Sequence, residues 1–303
     1  NNYLGLPHHP HVQERARQAI MDYGTGSGGA RLTSGSFPLF EELESRLAQW
    51  KETPSALTFT AGFMANLGTI SALLHKGDVI FSDALNHASL IDGCRLSGAT
   101  VQVYPHGDVQ TLETLLQQAQ SAPMRCIITD GVFSMDGDIA PLPELLDLAE
   151  RYDALLIVDD AHATGVIGDG RGTAHHFHCE RPRIITTGTM SKALGSIGGY
   201  VCGERTLIQY IINHSRPFIF ATALSPADIG ASLGALEVLH TDPTIYGRLH
   251  RNTKYMHEGL TKLGIPSTDE TPIFPIIIGS NEATVKASQY CEEKGIILSA
   301  IRP

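Results

Sequence analysis

The sequence predicts an α/β protein built on a mostly parallel sheet of seven strands. Short apolar runs alternate with longer segments of helical periodicity through the middle of the chain, which is the pattern of strands and crossover helices in parallel sheets. The 303 residues are 42% hydrophobic and 18% charged. This balance suits a globular chain with a large buried core and excludes the disordered, fibrous and low-complexity classes.

The seven strands are assigned to short apolar runs rich in β-branched residues. In chain order these runs are 57–60, 79–82, 101–104, 126–129, 155–158, 184–187 and 199–202. Helical periodicity is found at 40–51, 111–119, 142–152, 228–240 and 246–263. The segment 142–152 also has a proline in its first turn, where the missing N–H costs nothing.

Two later apolar runs, 276–278 and 296–298, predict strands of a smaller α+β domain that is incomplete at residue 303. We therefore expect an N-terminal segment with a glycine-rich loop over 1–35, a large α/β domain over 36–235 and the start of the small domain over 236–303. The first residue is not Met, so we also expect that either end lacks residues of the working protein.

Charge and cysteine usage restrict the partners and the compartment. Lys plus Arg number 22 against 32 Asp plus Glu, a net charge of −10, so we expect neither nucleic acid nor an anionic membrane as a partner. No run approaches the ~18 apolar residues of a membrane span. The five cysteines are scattered and odd in number, which is typical of reduced thiols. These features predict a cytoplasmic protein.

Two patterns suggest ligand sites but favour plainer explanations. Residues 24–29 satisfy G-x-G-x-x-G, yet a dinucleotide fingerprint needs a strand before it and a helix after it. Here a helical segment precedes it, so we favour a glycine-rich turn over a nicotinamide oxidoreductase. The cluster of histidines and a cysteine at 175–179 matches no tetrahedral zinc spacing, so no metal is predicted there.

Functional side chains follow two neighbouring strands. Asp159 and His162 come directly after the run 155–158, and Lys192 follows the run 184–187 among small and hydroxyl residues. Ligands of open α/β sheets bind beyond the carboxyl ends of strands. Burial would lower the pKa of Lys192 toward the neutral amine that Schiff-base chemistry needs. A strand-end carboxylate and such a lysine suit pyridoxal 5'-phosphate (PLP), because the carboxylate keeps the pyridine nitrogen protonated.

Two earlier strand ends add groups that are compatible with the same cofactor. The segment 60–66 follows a strand and opens a helix, whose first free N–H groups suit a phosphate. The segment 83–89 follows the next strand and offers the imidazole of His87, which could lie flat on an aromatic ring. Four strand ends with cofactor-compatible groups are a stronger indication than any one of them.

The motifs at 2–6, 133–138, 158–166 and the Lys192 loop resemble those of the α-oxoamine synthases, a family of fold type I PLP enzymes. The resemblance extends over essentially the whole chain. It implies that Lys192 binds the PLP aldehyde and later removes the Cα proton of an amino acid, and that Asp159 pairs with the pyridinium nitrogen. It also implies that His162 and Ser134 contact the phenolic oxygen of the ring and that His87 stacks on the ring.

The same resemblance assigns the phosphate and the subunit contacts. It implies that the backbone amides of Gly62 and Phe63, together with Thr189, hold the phosphate. Asn1 would orient the bound amino acid. Thr222 resembles a segment that reaches the phosphate from a partner subunit, which implies a symmetric homodimer with shared active sites.

The activity implied by the resemblance is a decarboxylative Claisen condensation of an amino acid with an acyl thioester. The motifs at 1–7 and 300–303 are most similar to the member that joins L-alanine to a pimeloyl thioester. Two alternatives stay open at this point. One is a sister enzyme that uses glycine and acetyl-CoA, and the other is a non-catalytic partner subunit, against which the intact Lys192, Asp159 and His162 argue.

Some positions depart from the family pattern. Asp130 stands where Glu is frequent, and Phe40 stands where many members have His. The family's carboxylate-binding arginine lies beyond the motif at 300–303, and an N-terminal acyl-binding segment has no counterpart in this sequence. Coenzyme A would need a local basic patch, for which Arg31 and Arg216 are candidates.

Overall fold

The computed structural model describes residues 1–179 and 183–302, so Pro303 of the C-terminal motif lies outside the described residues. One sheet contains seven strands in the order β1-β7-β6-β5-β4-β2-β3. The strands are β1 (Ser55–Phe59), β2 (Val79–Asp83), β3 (Thr100–Tyr104), β4 (Arg125–Asp130), β5 (Leu155–Asp159), β6 (Ile184–Thr189) and β7 (Gly199–Gly203). Strands β2 to β6 run parallel, and β7 lies antiparallel between β1 and β6. The seven strands predicted for the large domain and the mostly parallel sheet are confirmed.

Helices surround this sheet after a short 3-10 turn at Leu6–His8. They are α1 (Pro10–Tyr23), α2 (Pro38–Trp50), α3 (Gly62–Leu73), α4 (Ala88–Ser97), α5 (Val109–Gln118), α6 (Leu142–Arg151), α7 (Thr173–His176), α8 (Arg205–His214), α9 (Arg216–Ile219), α10 (Pro226–Thr241), α11 (Thr244–Lys262) and α12 (Asn281–Glu293). The predicted helices are confirmed to within a few residues at their ends.

The core consists of apolar layers on the two faces of the sheet. Ile128 and Ile157 pack in the layer under α3, α4 and α8, whereas their chain neighbours Ile127 and Leu156 pack in the layer under α5 and α6. Successive strand residues point to opposite faces, so strands that are apolar at every position need helices on both sides. The carboxyl ends of the parallel strands are therefore the part of the sheet where polar side chains gather.

The N-terminal segment crosses the turn that follows β6. A Cβ on Gly195, whose φ is +69°, would lie 2.5 Å from Pro7 Cδ, and Leu6 is fully buried beneath this contact. Only glycine combines this close approach with a left-handed backbone at low cost. The packing brings the first residues of the chain to the turn that carries Lys192.

The glycine-rich segment 24–29 follows helix α1 and precedes a turn at 31–34, so it does not have the strand before it and the helix after it that a dinucleotide fingerprint needs. The Ala223 N–H donates to Gly29 O at 2.9 Å, and Ala30 forms a bridge with Thr222. The turn is thus fastened to the segment that precedes α10.

The predicted strands at 276–278 and 296–298 are wrong. Both runs are extended without ladder pairing among the described residues, and Ile277 and Ile297 are 86% and 90% exposed. A strand needs a neighbour to take its backbone hydrogen bonds, and nothing within 1–179 or 183–302 supplies one for these runs. In the same part of the chain, no helix has the length and apolar character needed to cross a membrane.

Candidate active site

Parallel pairing brings two carboxylates side by side at the carboxyl edge of the sheet. Asp130 ends β4, Asp159 ends β5, and the two are direct neighbours in the strand register. Each side chain is only 4% exposed. Burial, and then the nearby Asp159, raise the pKa of Asp130 well above its usual range, because two like charges in one buried site oppose each other.

Hydrogen-bond donors surround Asp159 on both oxygens. The Ala161 N–H donates to Oδ1 at 2.9 Å and the Asn66 Nδ2 donates to Oδ2 at 2.6 Å. Asp130 instead accepts the His87 backbone N–H at 2.7 Å. Donors of this kind stabilise a carboxylate in a buried site, and Asp159 has one on each of its two oxygens.

Lys192 lies in the turn that follows β6, where burial lowers the pKa of its amine. The charges of Asp159 and Asp130 act in the opposite direction and do not cancel the effect of burial. A lysine with a lowered pKa is a nucleophile and a base near neutral pH. The structure therefore brings Lys192 and Asp159 together as the sequence predicts.

His162 is buried and contacts a residue far away in sequence. Its Nδ1 is 2.7 Å from the hydroxyl of Tyr3. Burial raises the pKa of Tyr3 to about 12, and burial together with Lys192 lowers the pKa of His162 to about 3. Tyr3 is therefore the donor and His162 the neutral acceptor, so the Nε2 of His162 carries the proton.

His87 precedes α4 and caps it. The Ser89 N–H donates to the Nδ1 of His87 at 3.3 Å, and the Ser89 hydroxyl lies 2.7 Å from the same nitrogen. His87 is exposed, and its ring meets the Phe63 ring edge to face at a centroid distance of 6.4 Å. One nitrogen of His87 is thus occupied by the protein.

The N-terminus of α3 forms the other end of the site. Its N-cap is Ala61, whose side chain cannot bond the first N–H groups, so the amides of Gly62 and Phe63 have no capping partner. A Cβ on Gly62 would lie 2.9 Å from Thr189 Cβ, so only glycine lets the helix end approach β6 this closely. The Thr189 hydroxyl itself donates to Gly198 O at 2.8 Å.

The remaining predicted residues lie at the edge of this group. Ser134 is half-buried in the loop after β4, and Asn1 is exposed at the start of the N-terminal segment. Thr222 is exposed next to the glycine-rich turn, and it lines a small cavity together with Thr60. For these residues the assigned roles stay predictions.

Arg31 does not have the free charge that a coenzyme A site requires. Its guanidinium donates to both oxygens of Glu44, at 2.7 and 3.2 Å, and lies 3.9 Å from the ring centroid of Phe40. Phe40 therefore packs against a half-buried ion pair. Arg216 is exposed beside Phe220 and remains a candidate for binding an anionic substrate.

Sequence reasoning assigned no role to Asn66 or Tyr3, and both contact predicted site residues. Asn66 is 2% exposed in α3. An asparagine among the apolar residues of this helix was the available signal, because buried amides are retained where they have partners. Tyr3 had no comparable signal, since its partner His162 is 159 residues away.

A half-buried lysine and a buried carboxylate beyond parallel strands, beside an uncapped helix N-terminus, define a site of the kind found in fold type I PLP enzymes. The family model of aminotransferase class I and II matches residues 1–303, and the chain belongs to this family.

Two curated relatives and two solved structures are similar over nearly the whole chain. An 8-amino-7-oxononanoate synthase of Thermoanaerobacter pseudethanolicus is 48% identical over 99% of this chain and 77% of its own length. The 8-amino-7-oxononanoate synthase 1 of Bacillus subtilis is 45% identical over 99% of this chain and 77% of its own length.

The 8-amino-7-oxononanoate synthase structure from Francisella tularensis has a TM-score of 0.83 at 30% identity, covering 98% of this chain and 85% of its own. A serine palmitoyltransferase structure from S. paucimobilis, with a bound PLP–myriocin aldimine, has a TM-score of 0.93 at 31% identity. The match covers 98% of this chain and 78% of the transferase chain.

Proposed function

We propose that the protein is a PLP-dependent acyltransferase that condenses L-alanine with a pimeloyl thioester, with loss of carbon dioxide, to give 8-amino-7-oxononanoate for biotin biosynthesis. The observation that carries the proposal is Lys192, whose pKa is lowered by burial and which is electrostatically coupled to the buried Asp159. The identity of 45% and 48% to two named 8-amino-7-oxononanoate synthases supports this choice among PLP reactions.

The residues present fit PLP. The cradle between Gly62 and Thr189 has no room for a Cβ, and the α3 N-terminus beside it offers uncapped N–H groups to a phosphate. Asp159 is the carboxylate for the ring nitrogen, and Lys192 is the amine for the aldehyde. When bound, PLP supplies an electron sink for the charge that develops at the amino-acid Cα.

Each side chain then has a defined task. Lys192 Nζ, made less basic by burial, takes the Cα proton of L-alanine and returns a proton at the end of the reaction. Asp159, held by Asn66 and Ala161, keeps a proton on the ring nitrogen. His162 presents its Nε2–H as a donor, because its Nδ1 accepts from Tyr3.

We also propose a homodimer with shared active sites. Leu32 and Phe220 are 51% and 68% exposed, and they lie near the Ala30–Thr222 bridge beside the site. Exposed apolar side chains at one place favour burial against a partner, and a second copy would bring another Thr222 near this surface. Sedimentation of Phe220→Asp should give monomer where the wild type gives dimer, whereas Tyr255→Asp on α11 should not. A monomeric wild type would exclude the proposal.

The compartment and the domain division are further proposals. The five cysteines are odd in number and scattered along the chain, a pattern typical of reduced thiols that supports a reducing cytoplasm. The division into 1–35, 36–235 and 236–303 sets its second boundary inside α10 (Pro226–Thr241), and α11 and α12 follow that helix. Limited proteolysis that cuts first after α10 is the expected result for this division.

The function is tested by visible absorption of the purified protein with PLP during titration with L-alanine, then glycine, then L-serine, followed by pimeloyl-CoA. We expect a chromophore that responds to L-alanine at the lowest concentration, and product only with the pimeloyl thioester. Lys192→Ala should abolish turnover, whereas Lys254→Ala on the exposed side of α11 should not.

Other results would move the assignment. A preference for glycine with acetyl-CoA would indicate the sister condensing enzyme. Failure of the wild type to bind PLP, or unchanged activity in Lys192→Ala, would exclude the catalytic proposal and leave a partner subunit.

A further inference from the structure

Asn66 lies between two predicted cofactor contacts that come from different elements. It is in the second turn of α3, its side chain is buried, and its amide makes bonds to three side chains. Nδ2 is 2.6 Å from Asp159 Oδ2 and 2.8 Å from Ser89 Oγ, and Oδ1 is 2.6 Å from Thr187 Oγ1. A buried amide with both ends bonded cannot rotate without losing hydrogen bonds.

The partners determine which way the amide faces. An ionised carboxylate only accepts hydrogen bonds, so the group that faces Asp159 has to be the NH₂. The carbonyl oxygen then faces the hydroxyl of Thr187, which donates to it. The orientation of Asn66 thus depends on the negative charge of Asp159, and the position of Asp159 depends on Asn66.

The chain of bonds continues from Asn66 to His87. Since Ser89 Oγ accepts from Asn66, its own proton is directed to His87 Nδ1, at 2.7 Å. The Ser89 N–H donates to the same nitrogen at 3.3 Å. With Nδ1 accepting, a neutral His87 carries its proton on Nε2.

We propose that Asn66 is a positioning residue that couples Asp159 to His87, and that this coupling sets the relative positions of the carboxylate assigned to the ring nitrogen and the imidazole assigned to the ring face. This inference rests on the proposed function for the cofactor contacts. The coupling itself is a property of the protein: changing Asn66 alters the environment of both Asp159, at the end of β5, and His87, at the N-cap of α4.

The test uses Asn66→Leu, which keeps the branching of the side chain at Cγ and removes both hydrogen-bonding ends. Thr69→Val is the matched control, because Thr69 is buried in the same helix and its hydroxyl has no hydrogen-bond partner within 1–179 and 183–302. Ser89→Ala breaks only the branch to His87. Thr187→Val keeps the amide but frees its carbonyl end, and it serves if Asn66→Leu does not fold.

The first readout is ¹⁵N-histidine NMR of the protein without cofactor, with the His87 signals among the 14 histidines assigned by a His87→Gln variant. We expect one tautomer, with the proton on Nε2, in the wild type and in Thr69→Val. Asn66→Leu and Ser89→Ala should give mixed tautomers. A wild-type His87 spectrum in Asn66→Leu would overturn the coupling.

The second readout is the affinity for PLP, measured by fluorescence. Asn66→Leu should weaken binding by about tenfold or more, because Asp159 loses a charge-assisted hydrogen bond, whereas Ser89→Ala should have a smaller effect. Equal affinity in Asn66→Leu and the wild type would refute the role toward Asp159. If the wild type binds no PLP, the proposed function fails, and the NMR result still decides the coupling.

Discussion

Replacement of Lys51 by Met should destabilise the fold without touching the candidate active site. Lys51 and Asp160 are 3% and 2% exposed at their side chains. Lys51 Nζ donates to Asp160 Oδ2 at 3.1 Å, to Thr164 Oγ1 at 3.0 Å and to Arg171 O at 2.7 Å. Burial acts to lower the pKa of Lys51, but Tyr200 and Asp160 outweigh it and raise the pKa, so the amine is charged.

The magnitude follows from what Asp160 keeps after the change. Without Lys51 it retains bonds from the Thr173 N–H and hydroxyl, but its charge is buried without a cation. Removal of one partner of a buried ion pair costs about 3–5 kcal/mol. The double variant Lys51→Met with Asp160→Leu should recover part of this loss, because neither charge then remains unpaired.

Urea unfolding followed by far-UV circular dichroism measures this difference. The control is Arg17→Met, which removes the exposed Arg17–Glu14 pair of α1 and should leave the midpoint unchanged. A loss of less than about 1 kcal/mol in Lys51→Met would refute the reasoning, since a typical surface substitution has an effect of that size or smaller.

Asp159→Asn should impair PLP binding more than it lowers the free energy of unfolding. This result would separate the role of Asp159 from that of its neighbour Asp160.

Three further predictions concern pH, backbone and tautomer. The pKa of His162 falls from 6.5 to about 3 on folding, so the unfolded chain binds more protons than the folded chain between these two pH values. The free energy of unfolding therefore decreases as the pH drops below 6.5, and the loss at pH 5 is about 2 kcal/mol. His162→Gln should lack this part of the loss in urea unfolding at pH 8 and pH 5, and identical pH dependence in both proteins would contradict the shift. Gly172→Ala should lower the free energy of unfolding by roughly 2 kcal/mol or more, because the φ of Gly172 is +100° and a Cβ would overlap Asp160 Oδ2. Thermal unfolding measures this loss, with Gly259→Ala as the control, since a Cβ on Gly259 would have no described atom within 4 Å. Equal melting temperatures of the two variants would contradict the prediction. Tyr3→Phe should lower kcat by about tenfold, because His162 Nδ1 loses its hydrogen-bond donor, while the circular dichroism spectrum stays unchanged. An unaltered kcat would show that Tyr3 does not set the tautomer of His162.

Much of the fold was accessible from local sequence pattern. Six of the seven apolar runs became strands that are buried over most of their length, whereas β3 at the edge of the sheet leaves Val101 and Val103 exposed. The same reasoning brought Asp159 and Lys192 together, because parallel strands place their carboxyl ends at one edge of a sheet. The runs 276–278 and 296–298 have the same local character but no ladder partner in the described chain, and pairing is not a local property.

The sequence by itself determined the element types, the parallel core and the strand-end residues, since these depend on neighbours along the chain. Only the tertiary structure decided that Asp159 faces the site while Asp160 pairs with Lys51, that Asn66 connects Asp159 to Ser89, and that Tyr3 donates to His162. Each of these contacts joins residues from separate elements. The physical reason is that a hydrogen bond forms only when donor and acceptor are about 3 Å apart. The number of residues between two positions in the sequence does not tell how far apart their side chains lie in the folded chain.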